Sequence, residues 1–286
     1  METQYTAWVI VGWFLVLFSA ERIWPLRRRT RSLGRRAILN AFAVGLAFGV
    51  AAITVGPVMR ATAEWTGNAR FGLLQWIALP APLAIGAGIL LLDLSFYYWH
   101  RLNHAAPLLW RFHNVHHVDP DLDSTTSFRF HFGEIAYSAG FRAVQIALIG
   151  PSVTAMAAYQ LLFLAGTLFH HSNVKLPLGL ERALNLIFVT PRMHGIHHSV
   201  VRDETNSNYS VVFRWWDPLH RTLRIHVPQN RIQIGVAAYT REEDHALGDL
   251  LWLPFRRQRE YWTMPNGTPS RSRAGSPPTS AQTLAA

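Results

Sequence analysis

Histidine spacing is the feature of this sequence that points most directly to chemistry. Fourteen of the 286 residues are histidines. His100 and His104 are four residues apart, which puts both imidazoles on one helical face about one turn apart. Two copies of an H-x-x-H-H pattern follow, and their offsets of three and four residues also share a face. The copies contain His113, His116, His117, His194, His197 and His198.

The number of clustered imidazoles predicts two metal ions. The pair and the two triplets supply eight imidazoles, whereas one metal takes at most about six donors and structural zinc about four. All-imidazole ligation suits iron, zinc, copper or nickel, so the ligand type leaves the metal open. Carboxylates are scarce nearby, which argues against a carboxylate-bridged four-helix di-iron site.

Three more histidines are candidate ligands. His131 has Glu134 three residues after it, and its alternative role is that of a buried histidine with satisfied hydrogen bonds. Only one member of the adjacent pair His170 and His171 can face a shared centre, and His171 is preferred. Glu134 is a candidate for supporting a ligand through a hydrogen bond. Isolated histidines are expected to be ordinary, namely His220, His226 and His245.

Asp93 and Tyr97 are expected on the same helical face as the His100–His104 pair, since the intervals are four, three and four residues. Asp93 lies about 10 Å deeper than His100 by helical rise, and a carboxylate inside a membrane is a functional candidate. It can orient a ligand, pair with Arg142 or make a structural hydrogen bond. Tyr97 is the weaker candidate, because a tyrosine here is more often a packing residue.

Long apolar runs predict several membrane spans. Half of the residues are hydrophobic and 15% are charged, and the mean hydropathy is +0.10. Arg142 interrupts one run, so that arm is expected to be re-entrant or packed against a partner. The start of the chain lacks a basic segment, which favours an uncleaved first span. The runs are Tyr5–Trp24, Ala37–Met59, Phe71–Trp99 and a hairpin of residues 135–150 and 151–169 that turns at Gly150-Pro151.

Charge and cysteine content limit the partners. The formal charge is +10, which without a charged soluble domain indicates anionic lipid head groups and no nucleic acid. The arginine-rich loop at residues 27–36 is cytoplasmic by the positive-inside rule. Counting spans then puts every histidine cluster on the cytoplasmic side, with a bacterial inner membrane as the expected location. The absence of cysteine excludes disulfides, Fe–S clusters and thiolate-bound haem.

These observations predict an all-α, multi-span helical membrane protein with a cytosolic, histidine-rich metal-binding cap. We divide the chain into N-terminal spans with the arginine-rich loop at residues 1–70, a catalytic domain at 71–262 and a disordered tail at 263–286. The tail is rich in Ser, Pro, Gly, Thr and Ala, which cannot bury a core.

The motifs from about residue 90 to 222 resemble, in the right order, the fatty acid hydroxylase and sterol desaturase superfamily of integral-membrane oxygenases. Two departures concern the cap loop and substrate fit: Ser210 where the family often has Gly, and Leu219-His220-Arg221-Thr222 where it often has Leu-Phe-Gly-Thr. The matching text is Asp93-x-x-x-Tyr97-x-x-His100-Arg101-x-x-His104, His113-x-x-His116-His117, Arg129-Phe130-His131-x-x-Glu134, His171-Ser172-Asn173, Thr190-Pro191-Arg192-Met193-His194-x-x-His197-His198-Ser199, Asn208-Tyr209 and Trp216-Asp217.

The resemblance implies two iron ions held by these histidines, O2 as oxidant and a lipid or sterol-like substrate, with zinc as a substitute metal. Hydroxylation of a C–H bond is the leading reaction, and desaturation on the same site is the alternative. No Rossmann glycine fingerprint is present, so a separate electron-transfer protein is expected. The rival of another class is a histidine-rich membrane metal transporter, which should place its ligands along the spans rather than at span ends.

Overall fold

The computed structural model describes residues 2–270, of which the side chains are described from residue 6 onward, and within that part the protein is helical with no β-strand. Short 3₁₀ turns and four isolated bridges connect the helices. The helices are α1 (Glu2–Ile23), α2 (Leu33–Ile53), α3 (Val55–Ala69), α4 (Leu73–Trp76), α5 (Ala81–Ala105), α6 (Pro107–His117), α7 (Phe132–Ile149), α8 (Val153–His171), α9 (Leu178–Leu184), α10 (Pro191–His197), α11 (Arg202–Thr205), α12 (Trp216–Leu219) and α13 (Leu247–Trp252).

Four stretches are long and apolar enough to cross a membrane: Thr6–Ile23, Leu33–Trp76, Ala81–Ala105 and Val153–His171. Large apolar side chains on them face outward, and Ile53 and Val153 are each 76% exposed. Such exposure is costly in water and favourable in lipid. The predicted all-helical, multi-span membrane fold is confirmed.

Two predicted boundaries are wrong. The run Phe71–Trp99 is not one helix, because the chain is extended at Ile77 and α5 begins at Ala81, directly after Pro80. Proline fixes its own backbone and disfavours helix in the residue before it, so it suits a helix start and not an interior. The second run does not end at Met59, since α3 continues to Ala69 after a bend at Thr54.

The predicted hairpin is present as α7 and α8. Gly150 ends α7 in the left-handed region at φ 62°, and the Ser152 hydroxyl accepts from the Ala155 amide at 3.1 Å to start α8. Gly72 approaches Gly150 so closely that a Cβ on Gly72 would lie 2.6 Å from the Gly150 Cα. The chain after α3 therefore packs on the end of α7 that lies away from the histidines.

The arginine-rich loop lies on the histidine face and is anchored there by buried ion pairs. Arg36 Nε lies 2.6 Å from Asp119 and its Nη1 lies 2.8 Å from Asp123. Burial alone would raise the pKa of Asp119, but Arg36 and Arg129 outweigh it and hold that pKa at about 2. Part of the positive charge of the loop is thus neutralised inside the protein.

The end of α1 is tied to the same face. The buried carboxylate of Glu21 accepts hydrogen bonds from the Ser124 amide at 3.1 Å and the Asn173 amide at 2.8 Å. Asn173 in turn accepts from the Arg27 amide through its side chain at 2.9 Å. Because Asn173 lies two residues after the end of α8, the first span and the arginine-rich loop help to position the histidines there.

The predicted tail lies mostly outside the described residues. Its first eight residues, 263–270, are described and contain a turn in which the Met264 amide donates to Thr268 O at 2.8 Å. Met264 packs against the small buried cluster of Val200, Val201 and Ala237. Residues 263–270 thus contact the rest of the described chain.

Arg36→Gln is expected to lower the free energy of unfolding by roughly 3–5 kcal/mol, because it removes the buried guanidinium that pairs with both Asp119 and Asp123. Thermal melting of the detergent-solubilised protein measures the effect. Arg35→Gln is the matched control, since Arg35 pairs with Glu242 at the surface and both side chains are more than half exposed; it should cost about 0–1 kcal/mol. Equal melting temperatures for the two variants would contradict this account.

Candidate metal centre

Four helix ends converge to build one buried histidine centre. The end of α5 contributes His100 and His104, α6 contributes its triplet, α8 ends at His170 and His171, and α10 carries His194 and His197 with His198 directly after it. Their ring nitrogens form two groups, and within each group the nitrogens all lie within 4.8 Å of one another. The first group is His100, His104, His113, His117 and His197, and the second is His116, His171, His194 and His198.

Each H-x-x-H-H motif supplies both groups. In α6, His113 and His117 belong to the first group, whereas His116 belongs to the second. In the later motif the assignment is reversed, because His194 and His198 share the second group and His197 joins the first. Residues four apart lie almost in line along a helix, and the third member is displaced around it. The spacing thus lets each short helix contribute to two adjacent centres.

Hydrogen bonds at Nδ1 orient several of the rings. Carbonyl oxygens of Tyr209, Ser207 and Thr167 lie 2.8, 2.7 and 2.8 Å from Nδ1 of His100, His197 and His171. An Nδ1–H donated to a carbonyl fixes the tautomer and leaves the Nε2 lone pair available. These are the hydrogen bonds that metal-binding histidines use to hold their rings.

The nitrogens facing the group centres lack ordinary partners. Nε2 of His171 lies 3.0 Å from Nε2 of both His116 and His194. Its Nδ1 already donates to Thr167, so a neutral His171 presents only a lone pair at Nε2. Both ring nitrogens of His104 and His117 are buried without a hydrogen-bond partner. Buried polar atoms left in this way are costly, and a cation at the centre of each group satisfies them.

Burial keeps the histidines outside the spans uncharged. It lowers the pKa of His116, His117, His194, His197 and His198 well below the usual value, and neighbouring imidazoles lower it further. A metal ligand must present a free lone pair, which neutral imidazole has and imidazolium lacks. The donor set therefore fits metal ions that accept nitrogen ligands, such as iron and zinc.

Glu134 lies where the sequence places a supporting residue. Its Oε1 accepts from Nδ1 of His113 at 2.9 Å, and both side chains are buried. A carboxylate on the far nitrogen makes the ligating nitrogen a better electron donor. Glu134 belongs to neither histidine group itself.

Asp93 and Tyr97 make no hydrogen bond to a grouped histidine within the described residues. Asp93 accepts from the amides of Val212 and Phe213 at 3.3 and 3.0 Å and from Trp216 Nε1 at 2.7 Å. It forms no ion pair with Arg142 within the described residues, so that alternative is not realised. The hydroxyl of Tyr97 lies 2.9 Å from that of Thr222. Both residues support the segment that follows α11.

Two histidines that the sequence offered as candidate ligands, His131 and His170, lie outside the groups. His131 caps the start of α7: its Nδ1 accepts from the Gly133 amide at 2.9 Å, and its Nε2 lies 3.1 Å from Leu251 O. Both nitrogens are thereby used, and the structure brings His131 into neither histidine group. His171 joins a group and His170 does not, as preferred from the sequence, although the His170 ring lies 4.1 Å from that of His194.

Asp217 is a site residue to which the sequence argument gave no role. Its carboxylate accepts from the amides of Tyr209 and Ser210 at 2.8 and 3.0 Å and from the Thr222 hydroxyl at 2.7 Å. It thereby fixes the turn whose Tyr209 carbonyl orients His100. The Trp216-Asp217 motif indicated that this position matters. Its role could not be predicted, because a sequence does not show which backbone carbonyls will orient a histidine.

A cavity of about 190 Å³ leads to the two groups. His113 of the first group and His116 of the second both line it, as does the supporting Glu134. Most of its wall is apolar and comes from α2, α3, α5, α7 and α8, for example Phe48, Met59 and Phe163. The geometry thus joins a metal-binding centre to an apolar chamber between membrane helices.

Known proteins resemble this chain in sequence. Residues 85–222 match the fatty acid hydroxylase family. The chain is 30% identical to an ornithine lipid hydroxylase of Rhizobium tropici over 79% of this chain and 67% of that protein. It is 30% identical to human alkylglycerol monooxygenase and 28% identical to human cholesterol 25-hydroxylase, over 54% and 53% of this chain and 33% and 60% of those proteins. No solved structure matches the chain.

The fold and the histidine centre are those of a membrane-bound oxidoreductase. The protein belongs to the fatty acid hydroxylase family.

His194→Ala combined with His197→Ala is expected to abolish metal retention, because each substitution removes a ligand from a different group. Metal content per chain of purified protein, measured by inductively coupled plasma mass spectrometry, tests this. His131→Asn is the matched control, since asparagine is also a good helix N-cap, and it should keep the metal of the unsubstituted protein. Loss of metal in His131→Asn alone would restore His131 as a ligand.

Glu134→Ala is expected to weaken metal binding about 10- to 100-fold, the usual effect of losing a carboxylate behind a ligating histidine. Chelator competition measures it. Glu134→Gln keeps an acceptor for His113 but removes the charge, and its affinity should lie between those of the other two proteins. An affinity unchanged in Glu134→Ala would show that the carboxylate does not tune the ligand.

Proposed function

We propose that this protein is a di-iron oxygenase that hydroxylates a C–H bond of a lipid or sterol-like substrate. One iron would be held by each histidine group, and the pair would supply the redox chemistry that activates O2. The overall reaction consumes one C–H bond, one O2, two electrons and two protons, and gives one alcohol and one water. The observation that carries this proposal is the apolar cavity, which reaches histidines of both groups.

The residues of the chain have separate tasks in this reaction. The Nδ1 partners of the ligand histidines, including Glu134 and the Tyr209 carbonyl, hold the rings in place. Aromatic and aliphatic side chains of the cavity bind the hydrocarbon and keep water away from the centre. The protein would therefore select which carbon reacts through the shape of this chamber.

Hydroxylation is favoured over desaturation by the relatives. The three proteins compared above are named as two hydroxylases and one monooxygenase. Desaturation on the same centre would remove two hydrogens and leave no oxygen in the lipid. Sterols, fatty acyl chains, alkylglycerol ethers, sphingoid bases and carotenoids all contain suitable C–H bonds.

A metal transporter is the alternative of another class. Transport requires ligands spaced along a path through the membrane. The two histidine groups instead lie at helix ends on one face, and the cavity that leaves them is mostly apolar. An apolar chamber suits a lipid and opposes the passage of an ion.

The histidine face is proposed to be cytoplasmic, in a bacterial inner membrane. The arginine-rich loop and the histidines share this face, and the positive-inside rule assigns it to the cytoplasm. Arg36 is buried in ion pairs, but Arg28 and Arg29 are exposed there. These exposed arginines suit either anionic lipid head groups or an acidic partner protein.

Electrons are proposed to come from a separate protein. Trp110 offers them an aromatic route, because its ring centroid lies 4.7 Å from that of His104 and 5.2 Å from that of His117. On its other side it stacks on the half-buried Trp262 at 6.0 Å. The route thus connects the first histidine group to the surface of the cap.

Iron-loaded protein given a reduced electron-transfer protein, O2 and a lipid extract is expected to add one oxygen atom to a lipid. Mass spectrometry with isotope-labelled O2 reads the product and its oxygen source. The double substitution at His194 and His197 is the matched control and should give none. A product lacking two hydrogens would establish the desaturase instead, and turnover with a reduced nicotinamide nucleotide alone would contradict the separate electron donor.

A further inference from the structure

Arg142 is a buried cation that no carboxylate neutralises within the described residues. It lies on α7 among the membrane helices and is 8% exposed. Its Nη1 donates to the neutral amide oxygen of Gln145 at 2.9 Å. Its guanidinium lies over the ring of Phe96, with the central carbon 4.7 Å from the ring centroid. These contacts offset part of the cost of burying the charge but supply no negative charge.

The same side chain lines the cavity that ends at the histidines. Glu134, Ser138 and Arg142 follow at intervals of four residues, so they share one face of α7, and all three line the cavity. Glu134 bonds to the first histidine group through His113. Arg142 is eight residues further along, or about 12 Å at the rise of an α-helix. The side chain of Gln160 lines the same cavity.

A charged residue inside a mostly apolar pocket usually fixes how a ligand is oriented. A guanidinium presents paired N–H donors that match the two oxygens of a carboxylate or phosphate. An occupant carrying such a group would supply the negative charge that the contacts of Arg142 do not provide. A neutral occupant would leave the guanidinium buried without a counter-ion, which is costly within a membrane.

We propose that Arg142 binds an anionic group of the substrate, a carboxylate or a phosphate, at the end of the cavity away from the metal centre. This inference rests on the proposed function, because it treats the cavity as the substrate site. The hydrocarbon then extends from Arg142 past Ser138 to the histidines. The substrate is an anionic amphiphile whose charged end and reacting carbon lie at opposite ends of the cavity.

Binding of simple amphiphiles tests the proposal without turnover. Hexadecanoate, hexadecyl phosphate and hexadecanol share one chain and differ in head group. Isothermal titration of detergent-solubilised protein, without O2 or reductant, should show at least one anion binding about tenfold or more tightly than the alcohol. Arg142→Gln should remove that preference and leave the affinity for hexadecanol unchanged, whereas Arg142→Lys should keep part of it.

Arg60→Gln is the matched control, because it removes an exposed arginine from α3 that does not line the cavity; it should retain the full preference. Which anion binds more tightly distinguishes the two possible sources of the anionic group. Tighter binding of hexadecanoate indicates a free fatty acid, and tighter binding of hexadecyl phosphate indicates a phosphate-bearing lipid. Equal binding of alcohol and anions by the unsubstituted protein would overturn the proposal even if Arg142→Gln does not fold. An equal loss of affinity for all three ligands in Arg142→Gln would also overturn the proposal. This binding experiment measures no turnover, so it is independent of the oxygenase proposal. If the oxygenase proposal fails, the turnover experiment gives no oxygenated product while the head-group preference in binding remains.

Discussion

Nine clustered histidines, eight of them buried and His104 partly buried, set the main constraint on this structure, as five lie in one group and four in the other. Burying so many polar nitrogens is costly unless each has a partner. The carbonyls of Tyr209, Ser207 and Thr167 satisfy three of them from behind, and Glu134 satisfies a fourth. The nitrogens that face inward lack such partners, and the metal ions that we propose would supply them.

The surrounding polar framework holds the four helix ends in register. Glu21 ties α1 to the end of α8, and Arg36 ties the start of α2 to the loop after α6. Asp93 and Asp217 hold the segment after α11 from two sides, so that its carbonyls meet the histidines. Most of these residues are buried charges that work as fixed hydrogen-bond partners. Residues outside the segment 85–222 that matches the family model, such as Glu21 and Arg36, therefore contribute to the same site.

Sequence alone could predict which histidines cluster where their spacing is helical, since periodicity reports which side chains share a face. It also predicted a mid-span Arg142 in need of a partner, and the partners found are Gln145 and an aromatic ring. The ring of His131 caps its own helix and joins neither group, which spacing does not reveal. The sequence analysis missed the helix break before Pro80, because hydropathy is averaged over a window that includes the proline. The fixed backbone of proline was the local feature that could have predicted the break. Carbonyl partners arise from the tertiary fold and have no side-chain pattern.

The central claim is that the two histidine groups hold two iron ions next to each other. Anomalous X-ray scattering at the iron absorption edge, from crystals of protein expressed with iron, tests it most directly. The account predicts two iron peaks, one among His100, His104, His113, His117 and His197 and one among His116, His171, His194 and His198. A single peak, zinc at both positions after iron-supplemented expression, or metal bound elsewhere would contradict it.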